Sequence, residues 1–185
     1  MITKDGEITF DYFLQPGQPY FGFDMPTMED KKVMSNMFMV MDNNLKVTVM
    51  YLQSDKNAMM MVNGMPDDID LEEAADKSAS YSYEMLPNKT IMGYSCKGVK
   101  ATSDEHEITM YFTTDAPVSF NDIYKNKRSN IPEGLKKYFK ENEQSLMLEM
   151  EMIDKRKSKM NATMECIGLE EVQKSINKSD YKTMN

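Results

Sequence analysis

Apolar and polar residues alternate along most of this chain with a period of two. Ile8, Phe10, Tyr12 and Leu14 alternate with Thr9 and Asp11. Leu146, Leu148, Met150 and Met152 have Glu149 and Glu151 between them. Met160, Ala162, Met164 and Cys166 enclose Asn161, Thr163 and Glu165. This spacing puts one set of side chains on each face of an extended strand. Residues 34–41 are apolar on both faces, as in a centrally buried strand. Asp42-Asn43-Asn44 then predicts a turn, and Leu45, Val47, Val49 and Tyr51 a returning strand.

Further strands are expected at 58–62, 79–85 and 92–96, with a phase shift and bulge near Gly98 before Val99 and Ala101. Ile108, Met110 and Phe112 mark another, and two long strands are expected over roughly 144–154 and 158–169. Pro16, Gly17 and Pro19 form a turn cluster, as do the polar residues 53–57 and 103–105. About nine strands joined mostly by short turns predict an antiparallel meander. Residues 115–143 differ. Pro132 and Glu133 open a helical segment with Leu135, Tyr138 and Phe139 on one face and Lys136, Lys137 and Lys140 on the other. Residues 119–127 predict a shorter helix. The expectation is one domain over residues 1–185, mainly β: a curved, partly closed antiparallel sheet with the helices of 119–142 against its concave side.

Composition adds one feature to this pattern: 21 of the 185 residues are methionine. Methionine is unbranched and polarizable and re-packs at low cost, so a strand face lined with it implies a soft interior or a thioether metal site. The net charge of −8 argues against nucleic acid and against charge-driven binding to an anionic membrane. No stretch approaches the roughly 20 apolar residues that span a bilayer as a helix. Residues 1–6 lack the apolar core of a signal peptide, which fits a cytosolic chain or one whose signal has been removed.

Catalytic chemistry has few candidates. His106 is the sole histidine, and its neighbours Glu105 and Glu107 project to the opposite strand face, so it reads as a solvated strand end. One histidine and two cysteines cannot assemble the usual zinc sites, and no nucleophile–base pattern or Gly-rich phosphate loop is present. The chain is therefore expected not to be an enzyme and to carry no cofactor. Cys96 and Cys166 read as small buried hydrophobes, with a disulfide as the alternative. The acidic run 67–73 lacks the spacing of a calcium loop and reads as solvated. Met37, Met39, Met41 and Met59, Met60, Met61 resemble Cu(I)-site spacing only superficially. Alternate side chains on one strand stand roughly 7 Å apart, so ligands would have to come from different strands. Copper binding is expected to be weak or absent.

Two stretches carry a family resemblance. One runs Asn88-Lys89-Thr90-Ile91-Met92-Gly93-Tyr94-Ser95-Cys96-Lys97 into Glu107-Ile108-Thr109-Met110-Tyr111-Phe112-Thr113-Thr114-Asp115. The other is Met37-Phe38-Met39-Val40-Met41-Asp42 with Val47-Thr48-Val49-Met50. Together with the final methionine-rich strand pair, they resemble an uncharacterised family of exported Gram-negative bacterial proteins, the domain of unknown function numbered 4412. That family is similar to LolA-like lipoprotein carriers, whose half-open antiparallel barrel is plugged by helices and holds acyl chains. The resemblance implies export to the periplasm or outer envelope after loss of a signal peptide. It brings no catalytic residues.

The combined expectation is a non-enzymatic envelope protein that binds a lipid or lipoprotein acyl chain in a methionine-rich, half-open barrel. The ligand-facing residues would be Met85, Met92, Met110 and Phe112 from the middle strands. Leu148, Met150, Met152 and Met164 would come from the last strand pair, and Leu135 and Phe139 from the helix. The alternatives are an envelope interaction or structural protein without a ligand, and a methionine-based Cu(I) binder.

Overall fold

The computed structural model describes residues 1–3, 6–25, 36–54, 57–65, 81–119 and 145–184. Among them the alternating pattern produces two sheets, antiparallel except at one edge. The chain divides into two compact units, each built from two separate segments. One unit comprises Met1–Ile8 and Asp68–Leu169, the other Thr9–Asp67 and Glu170–Asn185.

The first unit holds a sheet with strand order β2-β1-β12-β11-β10-β9-β8. Its strands are β1 (Ile2–Thr3), β2 (Gly6–Glu7), β8 (Ser82–Ile91), β9 (Tyr94–Thr102), β10 (His106–Thr113), β11 (Leu146–Asp154) and β12 (Ala162–Glu165). β8 to β12 form a meander in which each strand pairs antiparallel with the next. Ser119 and Ser145 clasp each other: the Ser119 hydroxyl donates to the Ser145 carbonyl at 2.9 Å and accepts from its N–H at 3.1 Å. The helices expected at 119–142 fall outside the described residues.

The irregularity expected near Gly98 lies on the partner strand: Gly98 pairs with Leu86 and Cys96 with Lys89, so β8 carries one extra residue there. β9 pairs regularly with β10 through Gly98, and the apparent change of phase arises because β9 is buried on both faces. Cys96 and Gly98 lie on one, Val99 and Ala101 on the other. A Cβ at Gly98 would stand 2.6 Å from a Tyr111 ring carbon, so the glycine makes room for that ring. A second register irregularity falls between Tyr111 and Phe112 on β10. The strand expected at 158–169 is shorter. Ser158–Met160 is a 3-10 turn and only Ala162–Glu165 is extended in the sheet.

The second unit has strand order β13-β7-β6-β5-β4-β3. These are β3 (Asp11–Leu14), β4 (Tyr20–Met25), β5 (Asn36–Asp42), β6 (Val47–Gln53), β7 (Ala58–Gly64) and β13 (Lys182–Met184). β3 to β7 form a second five-stranded antiparallel meander, and β13 joins β7 in parallel. The hairpin at Asp42 forms as the sequence indicates, with the Asp42 carboxylate accepting from the N–H groups of Asn44 and Leu45. β4 interrupts its apolar pattern with Gly22, where a Cβ would stand 2.6 Å from the Phe38 ring. Phe38, Leu52 and Met60 are the buried hydrophobics of this unit.

Candidate functional site

Register places much of the expected apolar set on one face of the first sheet. Met85, Val99, Met110, Met150 and Met164 lie opposite one another across five strands. Met152 sits one step along, between Ile108 and Ala162. Phe112 is half-buried. Leu148 is the extra residue at the β10–β11 irregularity, left without an opposite partner, and it packs inward to 2% exposure. Met85 lies on edge strand β8 and is 39% exposed. Met92, expected on a strand, instead occupies the β8–β9 turn with φ 51° and is solvent-exposed. Met160 is likewise exposed, as the last residue of the 3-10 turn rather than in a strand. Leu135 and Phe139 fall outside the described residues.

The other face of that sheet is charged. Lys89 Nζ contacts both Glu149 carboxylate oxygens at 2.5 and 2.6 Å and lies 4.1 Å above the Tyr111 ring. Lys100 pairs with Glu107 at 2.7 Å, and this hydrogen bond raises the lysine's pKa. One face is thus mainly apolar, and the other carries these ion pairs together with the buried Cys96.

His106 is better connected than a solvated strand end. Its Nδ1 lies 3.2 Å from the Tyr81 hydroxyl and its Nε2 3.9 Å from Asp154 Oδ2. Asp154 also accepts from the backbone N–H groups of Arg156 and Lys157, which lower its pKa. These contacts fasten the β10 and β11 ends. Cys96 is fully buried, and burial pushes its thiol pKa up. Cys166 follows β12, three strand spacings from β9, or about 14 Å, beyond disulfide reach. Both cysteines are free.

The second unit holds a cavity of about 680 Å³. Its walls include Phe10, Phe38, Tyr51, Ile176 and Tyr181, with Asp11, Asp24, Lys174 and Asp180 supplying charge. Register sets Phe13, Asp24, Phe38 and Tyr51 on one sheet face. The C-terminal segment crosses that face. Lys174 Nζ lies 2.8 Å from Asp24 Oδ2 and 4.8 Å above the Phe38 ring. Tyr181 meets Tyr51 edge-to-face at 5.0 Å, and β13 then extends the sheet. Sequence periodicity gave no sign of this cavity, because six of its fifteen lining residues come from non-strand chain at 174–181. The signal in the sequence was Ile176 and Tyr181, apolar side chains in a mostly polar tail.

No curated protein matches the chain. Among solved structures, one of PNGF-II is similar at a TM-score of 0.37 and 10% identity, covering 95% of this chain and 30% of that one. A match of the family described as a domain of unknown function, DUF4412, extends over residues 1–181, and the chain belongs to that family.

Proposed function

We propose that this protein is a non-enzymatic, ligand-binding protein of the cell envelope that holds an amphipathic molecule of lipid chemistry in the cavity of its second unit. The observation that carries this reading is the cavity itself. At about 680 Å³ it falls in the roughly 300–1,000 Å³ range of small-molecule pockets. Phe38, Tyr51, Ile176 and Tyr181 offer an apolar wall to a hydrocarbon body, while the Asp24–Lys174 pair offers a polar group an ionic partner. Residues 170–177 have no regular secondary structure. Displacing this strap breaks side-chain contacts and one ion pair and leaves the β3–β7 ladder intact, so it is an economical entry route. The envelope placement rests on the resemblance to exported proteins.

A ligand that binds only the folded state raises the melting temperature as its concentration increases. Thermal melts with fatty acids and lysolipids should show this rise, and Ile176→Asp should abolish it while leaving the unliganded melt close to the parent. If no amphiphile moves the melt, the carrier reading fails and a structural or interaction role replaces it.

A further inference from the structure

Methionine is organised across strands as well as along them. In the second unit Met39 of β5 pairs with Met50 of β6, and Met50 with Met61 of β7. Met184 of β13 extends the row. In the first unit Met110 of β10 pairs with Met150 of β11, and Met150 with Met164 of β12. Each five-stranded meander thus places three methionines opposite one another on its third, fourth and fifth strands.

This register removes the objection that strand spacing raised against a metal. Paired residues on neighbouring strands have Cβ atoms about 4.5–5.5 Å apart, against roughly 7 Å for alternate residues of one strand. The outer two methionines of a row stand two strand spacings apart, roughly 9.5 Å, so their flexible thioether arms must lean toward the middle strand to converge on one ion with the central sulfur. The six triplet side chains are half-buried, whereas Met60, on the other face of β7, is 3% exposed. Buried Leu52 and Leu148 lie two residues along from Met50 and Met150 on the same strands, at 6% and 2% exposure, so each row borders packed chain and keeps partial access to solvent. Among the described residues no group of three or more His, Cys, Asp or Glu is placed to hold a metal. The donor set is thioether alone, which is soft and neutral and selects Cu(I) over harder ions. The chain's net charge of −8 favours the approach of a cation.

We infer that each row, Met39–Met50–Met61 and Met110–Met150–Met164, is a thioether site for a soft monovalent cation, Cu(I) being the metal. The inference is independent of the cavity reading. The test uses the full chain carrying Cys166→Ser, which removes the more accessible thiol. It is titrated anaerobically with Cu(I) against a competing chelator, and with Ag(I) while methionine methyl resonances are followed by NMR. One ion per row is expected, with the row methyls shifting on Ag(I) addition. Met50→Leu should weaken one site and Met150→Leu the other, each by at least about tenfold in Kd. Met92→Leu, exposed and off both rows, should change neither. Leucine nearly conserves volume, so melting curves separate a lost site from a lost fold. Unchanged affinity in the Met50→Leu/Met150→Leu double variant, or no binding in competition with the chelator, overturns the proposal. A single ion sensitive to only one substitution assigns the site to that sheet and overturns the other.

Discussion

Lys174 Nζ lies 2.8 Å from Asp24 Oδ2, joining residues 150 positions apart and fastening the C-terminal strap to the sheet face of the second unit. The same ammonium sits 4.8 Å over Phe38 and 5.1 Å over Phe13. The first unit uses the same combination: Lys89 pairs with Glu149 and covers the Tyr111 ring. In both, a strand glycine makes room for the aromatic ring, Gly22 for Phe38 and Gly98 for Tyr111.

Lys174 and Asp24 are each more than a third exposed, so solvent screens the pair. A double-mutant cycle with Lys174→Ala and Asp24→Asn should give a coupling of about 0.2–1 kcal/mol. Hydrogen exchange of 182–184 should quicken in the lysine variant, because the strap leading to β13 is released. Unchanged exchange there would show that β13 pairing alone holds the strap.

Gly98→Ala should destabilise the protein by roughly 1–3 kcal/mol, the usual cost of overpacking. Its Cβ would stand 2.6 Å from Tyr111 Cε1 and 2.9 Å from Leu86 Cβ, and the second neighbour is too short to swing aside. Combining it with Tyr111→Ala should recover part of the loss, which urea unfolding of the single and double variants measures. Strict additivity would mean the ring is not what the glycine accommodates.

Leu148 and Met150 are indistinguishable by periodicity but differ in the structure. Leu148 is 2% exposed and Met150 half-buried. Leu148→Ala should cost about 2–5 kcal/mol. Met150→Ala should cost less, because its side chain is only partly removed from water. Equal losses in chemical denaturation would contradict this assignment of burial.

Asp154 gives the protein a specific acid sensitivity. Hydrogen bonds from the Lys157 and Arg156 N–H groups hold its pKa below the ordinary 3.8. A depressed carboxyl contributes stability that is fully present above the unfolded value and lost as pH falls through the folded one. Asp154→Asn should therefore be less stable than the parent at neutral pH, and the difference should shrink as the pH falls below 3.8 and through the lowered folded pKa. Urea midpoints measured from neutral pH down through that acid range test this, and parallel acid limbs would exclude Asp154 as a contributor.

Strand identity was legible wherever alternation was local. β5, β6, β7, β10 and β11 lie close to where Met39, Val49, Met61, Met110 and Met150 predict them. The side-chain period of two belongs to a single strand, so a single stretch of sequence expresses it. β4 was hidden because Gly22 breaks its apolar pattern, and the reason for that glycine is a Phe38 ring sixteen positions away. β13 was hidden because Lys182-Thr183-Met184 becomes a strand only beside β7. Along the same lines, the amino-acid order established that the chain is mainly β, methionine-rich and acidic. Only the tertiary structure decided that the strands divide between two sheets, that the tail encloses a cavity, and that methionines from separate strands stand in rows. Those outcomes depend on which strands pair and in what register, and long-range contacts select both.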